Sequence, residues 1–213
     1  MSVHYTVTAP EGTRIAARSL SGSIRVSDIK GDLNLSSMSG DVSVFNGARV
    51  MTAKSTSGSV EIANLRSDIA LAVNTVSGNL VIRQSRVPRM ELGTVSGNVV
   101  ITDVECERIE AHTLSGDVEF NSPLARNGRY ELNSHSGVMR IVPTGTTGFE
   151  LDATSFSGDI RSELTLKDAR QGVAEIGRRN RGGRTRSLSG VYGDGSAMLD
   201  ITTFSGSVLI GKK

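Results

Sequence analysis

The sequence predicts an all-β chain wound as a parallel β-helix, a β-solenoid of about nine rungs of 18–21 residues with two short strands per rung. Three observations predict it. Ser-Gly recurs at Ser21, Ser39, Ser57, Ser77, Ser96, Ser115, Ser136 and Ser157, in steps of 18, 18, 20, 19, 19, 21 and 21 residues, and closes at Ser205 after an interruption. A fixed period near twenty marks stacked units that each touch only their neighbours. Apolar residues also fall in columns with the two-residue alternation of a strand that buries one face. Finally, no stretch sustains a 3.6-residue pattern, so helix is at most incidental.

The strand after the Ser is carried by two columns. Three residues on stand Ile24, Val42, Val60, Leu80, Val99, Val118, Met139, Ile160 and Val208; five on stand Val26, Val44, Ile62, Ile82, Ile101, Phe120, Ile141 and Ile210, with Ser162 the exception. The strand before it is carried by Ile15, Leu33, Met51, Leu71, Met90, Ile109, Tyr130, Leu151 and Leu199 at six back. Four back stand Ala17, Leu35, Ala53, Val73, Leu92, Ala111, Leu132, Ala153 and Ile201. The column three back (Arg18, Ser36, Lys54, Asn74, Gly93, His112, Asn133, Thr154, Thr202) has no apolar member, which predicts a corner there. A second corner is expected six to thirteen residues past the Ser, marked by Lys30-Gly31, Asn46-Gly47, Asn127-Gly128 and Thr147-Gly148. Stacked at the inter-strand spacing, such rungs make a rod about 40 Å long. A β-sandwich would need antiparallel hairpins and unequal strand roles, which near-identical columns do not suggest.

The column just before the Ser (Leu20, Met38, Thr56, Val76, Val95, Leu114, His135, Phe156, Phe204) shares parity with the apolar pair after the corner, so it is expected inside. That turns outward the hydroxyl column two back (Ser19, Ser37, Ser55, Thr75, Thr94, Thr113, Ser134, Ser155, Thr203). The outward ladder pins register and keeps one face soluble, or else forms a ligand-contact ladder. Its residues would be Thr75, Ser77, Thr94, Ser96, Thr113, Ser115, Asp117 and Asp159. Reversed parity would bury the hydroxyls and expose the apolar column as a sticky face.

Composition fits one narrow core. Of 213 residues 37% are hydrophobic but only 4% aromatic, with no Trp, so Val, Ile, Leu and Met must fill the interior. Cys106 is alone, which excludes an internal disulfide, and reads as a small core or edge residue. Residues 1–213 read as a single domain with one Gly/Arg-rich loop excursion at about 163–195. Residues 178–186 hold five arginines and no acid, so the remaining chain sums to −3 against a total of +2. Arg178, Arg179, Arg181, Arg184 and Arg186 could meet nucleic acid or another anionic surface, but no aromatics accompany them, and a solvated, mobile excursion with no nucleic-acid partner is the plainer reading. Trimming 170–190 would then leave stability unchanged.

Convergent chemistry is not evident. His4, His112 and His135 fall in different columns and are not expected to share a site, and no Cys cluster or His-Glu-x-x-His supplies a metal centre. No cofactor is expected. Asp117 and Asp159 would stand two rungs apart, about 9.6 Å, a separation that suits an inverting glycosidase, yet on a flat face without a pocket. No apolar run of eighteen residues is present, and no signal peptide stands at Met1. Both ends break off beside a rung without an obvious cap, so the chain is expected to be a segment of an exported protein whose leader has been removed.

The phrases Thr75-Val76-Ser77-Gly78-Asn79-Leu80, Thr113-Leu114-Ser115-Gly116-Asp117-Val118 and Ser155-Phe156-Ser157-Gly158-Asp159-Ile160 resemble a bacterial family of adhesin-like domains of unknown function. So does the end, from Ser189-Gly190-Val191-Tyr192 to Phe204-Ser205-Gly206-Ser207-Val208. The resemblance spans about residues 5–210 and implies an exported β-solenoid with no catalytic residues to carry over. The expected function is a non-enzymatic adhesin-like or scaffold module of the bacterial cell envelope, periplasmic or on the surface. Its partner would be a cell-surface glycan or a protein. The alternatives are a filament-forming scaffold joined through uncapped rod ends, a carbohydrate-acting β-helix enzyme, and an ice- or crystal-binding face.

Overall fold

The computed structural model describes residues 4–176 and 183–212. Its elements are β1 (Ile15–Ser19), β2 (Ile24–Ser27), β3 (Asp32–Ser37), β4 (Val42–Phe45), β5 (Arg49–Ser55), β6 (Val60–Ala63), β7 (Leu71–Ser77), β8 (Leu80–Arg83) and β9 (Arg86–Ser96). They continue with β10 (Val99–Thr102), β11 (Glu105–Ser115), β12 (Val118–Asn121), β13 (Arg129–Ile141), β14 (Phe149–Ser155), β15 (Ile160–Ser162), β16 (Lys167–Ile176), β17 (Gly183–Tyr192) and β18 (Ala197–Ile210). The chain is a β-solenoid. Odd-numbered strands from β1 to β13 form one parallel ladder and even-numbered strands from β2 to β12 the other, and β13 spans both. These seven turns wind in chain order, and among the described residues no helix occurs.

The predicted apolar columns form the core. Leu33, Leu35, Val42, Val44, Leu71, Val73, Leu80, Ile82, Met90, Leu92, Ile109, Phe120, Leu132, Ile141 and Ile201 are all essentially solvent-free. Met51 departs from its column: a register shift between β3 and β5 sets Val50 opposite Leu33, so Val50 is buried and Met51 faces solvent. Tyr130 is fully buried in the core, edge-on to Phe120 at 5.7 Å. Its hydroxyl donates to the Cys106 carbonyl and accepts from the Ala125 amide, both at 2.7 Å, as a buried phenol must be satisfied.

The first corner lies at Ser-Gly itself, not three residues earlier. β11 runs unbroken from Glu105 through His112 to Ser115, so the polar column three back is an outward strand position rather than a turn. The alternation that buries the residues six and four back therefore also buries the hydroxyls two back and turns the residue before the Ser outward. The glycine is needed because layers meet there. A Cβ on Gly97, Gly116 or Gly206 would land on the carbonyl oxygen of Gly78, Gly97 or Gly137 in the adjacent layer. The second corner is formed by Asp28, Asn46, Asn64, Gln84 and Asp103, each seven past its Ser and with φ between 47° and 58°. Asp and Asn tolerate that left-handed conformation at low cost.

The last units break the winding order. β18 inserts between β13 and β14, pairing parallel with both, so Ser157-Gly158 lies on Ser205-Gly206 rather than on Ser136-Gly137. The expected loop at 163–195 is largely a hairpin instead: β16 and β17 pair antiparallel, and β17 pairs antiparallel with the outer edge of β14. Its Leu188 is buried and Leu166 packs against the core, so the segment docks on the solenoid. At this end the free edge of β14 is thus closed by antiparallel pairing.

Candidate functional site

The hydroxyl ladder is a structural device. Ser37, Ser55, Thr75, Thr94 and Ser155 are buried and donate to the carbonyls of Gly22, Gly40, Gly58, Gly78 and Gly206 in the neighbouring layer, at 2.9–3.3 Å. Each bond ties two corners together where the glycine has left the backbone bare. Thr113 is equally buried, but its hydroxyl finds no partner. Thr75, Thr94 and Thr113 therefore cannot form an outward ligand ladder, because an inward strand position sends their side chains to the core side. Ser77, Ser96 and Ser115 do face solvent at the corner.

The column two past the Ser is a second tie. The amides of Ser59, Asn98, Asp117 and Val138 donate to the side-chain oxygens of Asp41, Asn79, Asn98 and Asp117 at 2.8–3.0 Å. The Asp/Asn preference comes from this: a short acceptor reaches the next layer's unpaired amide. Asp117 and Asp159 are three layers apart rather than two, since Ser207 is interposed, which sets them about 14 Å apart at the inter-strand spacing.

Of the basic residues, Arg178, Arg179 and Arg181 lie outside the described residues. Arg184 stands in β17 opposite Glu175. Arg186 is engaged within the chain, ion-paired with Asp159 and donating to the Gly158 carbonyl. The contact assigned to it with an external anion is replaced by this internal one.

A different surface emerges from the corrected parity. The column before the Ser stands outward as one ridge, with Leu20 75% exposed and Met38, Val76, Val95, Leu114 and Phe204 about half exposed. Toward the reordered end it becomes a stack of rings. His135 and Phe204 lie 4.8 Å apart at 5°, and Phe204 and Phe156 lie 4.9 Å apart at 8°. Between this ridge and the polar column three back runs a shallow groove. One stretch of about 670 Å³ lies between Lys54, Asn74 and His112 on one wall and Val76, Val95 and Leu114 on the other. A second, of about 360 Å³, lies between Asn133, Thr154 and Thr202 and the ring stack. His112 and His135 line this second stretch together, so the two histidines do share a site, because adjacent layers place outward columns side by side.

Charges flank the groove in ladders of their own. Glu91, Glu110, Glu131, Asp200 and Asp152 stand on five successive layers. Glu110 is held below the usual carboxylate range by Arg108, with Arg89 assisting. Asp200 is pushed up by burial and by Asp152 and Glu131, against the pull of Arg129. Cys106 is buried, its thiol pushed up to about 11 by desolvation, which leaves it protonated and unreactive. Among the described residues no group of three or more His, Cys, Asp or Glu is arranged to hold a metal, and no helix is long and apolar enough to cross a membrane.

The sequence signal for the exposed ridge was the hydroxyl two back. An unbroken strand parity with Ser or Thr at every inward end position demands a local carbonyl acceptor, and the adjacent column must then face out.

The chain belongs to the Toastrack DUF4097 family, whose model matches residues 4–210. No curated protein and no solved structure matches it.

Proposed function

We propose that this Toastrack chain is a non-catalytic, adhesin-like scaffold of the bacterial cell envelope, exported to the periplasm or cell surface, that makes its contacts along its side. The observation that carries this is the linear groove and ridge. Polar groups on one wall and apolar groups on the other repeat layer by layer, presenting many small equivalent contacts instead of one convergent pocket. Such a surface suits an extended polymer, a glycan strand or a protein segment, because each layer adds an increment of contact. The carbohydrate-acting alternative is weakened by the three-layer separation of Asp117 and Asp159 and by the ion pair that occupies Asp159.

The test is a glycan array together with binding to envelope fractions, using the wild type and a Val95→Asp/Leu114→Asp variant. Both positions are half exposed, so the fold tolerates the change. Binding that the groove variant loses by tenfold or more supports the reading. Binding indifferent to the variant, or turnover of an arrayed glycan, overturns it.

A further inference from the structure

Resting on the reading of the lateral face as the contact surface, we propose that the ridge pairs side by side with a second copy of the chain, the two rods parallel and related by a two-fold axis along the solenoid. Four observations argue for this occupant.

First, the ridge runs through every layer from Leu20 to Phe156, broken only by Thr56 and His135 as polar members. An apolar line of that regularity matches best a surface with the same spacing, and a second copy repeats at the same inter-strand distance of about 4.8 Å.

Second, the flanks differ in charge. The column three before the Ser, on one side, carries Arg18, Lys54 and His112 and no acid. The column two past the Ser, across the corner, carries Asp41 and Asp117 as free acids and no base, Asp159 being already paired with Arg186. Asp41 and Asp117 each spend one oxygen on a backbone amide and face solvent with the other.

Third, symmetry selects the arrangement. A two-fold axis along the rod sets each copy's basic flank against its partner's acidic flank. An axis across the rod would set basic against basic and acidic against acidic, with like-charge repulsion along the seam. In the parallel pair Asp41 falls level between the layers of Arg18 and Lys54, and Asp117 falls level with His112.

Fourth, the area fits a weak, reversible partner. A ridge about 40 Å long and one side chain wide covers on the order of 400 Å² per copy, the low end for specific contacts. The glutamate and aspartate ladder stands two columns away from the ridge, beyond the direct seam.

Sedimentation velocity on the full chain across concentration reads the pairing. The weight-average mass is expected to approach twice the monomer at high concentration, and Leu114→Asp is expected to weaken self-association by at least about tenfold. Cysteine cross-linking reads the orientation, with buried Cys106 silent. Leu20→Cys is expected to cross-link with itself and not with Phe156→Cys, because those positions lie at opposite ends of the ridge. A mass that stays monomeric throughout, self-association indifferent to Leu114→Asp, or a preferred Leu20→Cys to Phe156→Cys link each overturns the proposal. A monomeric chain that still binds glycan or envelope through the groove overturns the pairing alone and leaves the proposed function standing.

Discussion

The seven turns from β1 to β13 and the reordered end built from β14 to β18 use the same corner chemistry to opposite topological effect. In both, glycine lies on glycine, and a buried hydroxyl bonds the carbonyl of the glycine in the layer beside it, as in Thr75 to Gly58 and Ser155 to Gly206. In the first region those contacts join consecutive units. In the second they join Gly158 to Gly206 and Gly206 to Gly137, out of chain order. The layer code therefore specifies that units stack, and not which unit stacks on which.

Order at the far end is decided by a crossing. β17 and β18 straddle β14, joined by a turn through Gly193 and Gly195, whose φ values are 64° and 66°. That turn passes over Gly148, immediately before β14: the Gly148 amide donates to Asp194 Oδ1 at 2.8 Å, and the Ala197 amide to the Gly148 carbonyl at 3.1 Å. With β17 on one edge of β14, the other edge is left for β18.

The largest effect is expected where the code is broken inside the ordered turns. Gly116→Val forces a side chain onto the Gly97 carbonyl in an interior layer that is paired to a neighbour on each side and cannot move away, and should cost about 3 kcal/mol or more, read as a fall in urea midpoint. The same change at Gly158 strikes the Gly206 carbonyl and the Ser155 hydroxyl just as closely, but this outermost layer can give way and should cost clearly less. Equal losses would mean that the two regions unfold as one unit.

Next comes the crossing. A Cβ at Gly148 would strike the Tyr192 carbonyl and the Asp194 amide, so Gly148→Val should unhook the straddle. Hydrogen exchange is expected to show β14, β17 and β18 losing protection by tenfold or more while β3 to β9 keep theirs. Protection lost uniformly would show instead that the ordered turns depend on the reordered end.

These two regions also divide what was legible in the sequence. The period and the apolar columns sufficed for the solenoid, because each column states a local, repeated fact about burial. The parity of Leu20, Val95 and Phe204 was missed because a polar column at Arg18, Lys54 and His112 looks alike whether it marks a corner or an outward strand position. The insertion of β18 was illegible for a deeper reason: Ser205-Gly206 carries the same corner signature as every other unit, so nothing local tells it which neighbour to take. The hairpin was hidden by composition, since Gly172, Gly183 and the arginines read as loop while pairing with β14 is a tertiary fact.

A smaller effect separates satisfied from unsatisfied hydroxyls. Thr75→Val removes a buried 2.9 Å bond to Gly58 and should cost about 1 kcal/mol. Thr113→Val deletes a buried oxygen that has no partner and keeps the shape, so it should be neutral or stabilising. A loss at Thr113 equal to that at Thr75 would mean the hydroxyl ladder is continuous in solution, and the two layers would then be equivalent.

The smallest effect compares two carboxylates of opposite setting. At the ordered end Asp32 lies between Arg14 and Arg49, at 2.9 and 2.8 Å, and Arg14 above all holds its carboxyl below the ordinary value. At the reordered end Asp200 lies between Asp152 and Glu131 on adjacent strands, and burial first, then those charges, push its carboxyl up. The signs follow. Asp32 contributes stability that is present above its unfolded pKa and fades as pH falls through its depressed folded pKa. Asp200 does the reverse, since its ionised form is disfavoured in the folded chain, so stability at that site is lost as pH rises through the raised folded pKa. Asp200→Asn should therefore stabilise the reordered end at neutral pH by a few tenths of a kcal/mol, on the order of a cross-strand like-charge contact, and have no effect once the carboxyls are protonated. Carboxyl titration by NMR should place Asp32 below and Asp200 above the free aspartate value. If the two titrated together, or if Asp200→Asn destabilised at neutral pH, the acidic ladder would be neutralised by its arginines, and β18 would owe its position to the Gly148 crossing without any charge cost.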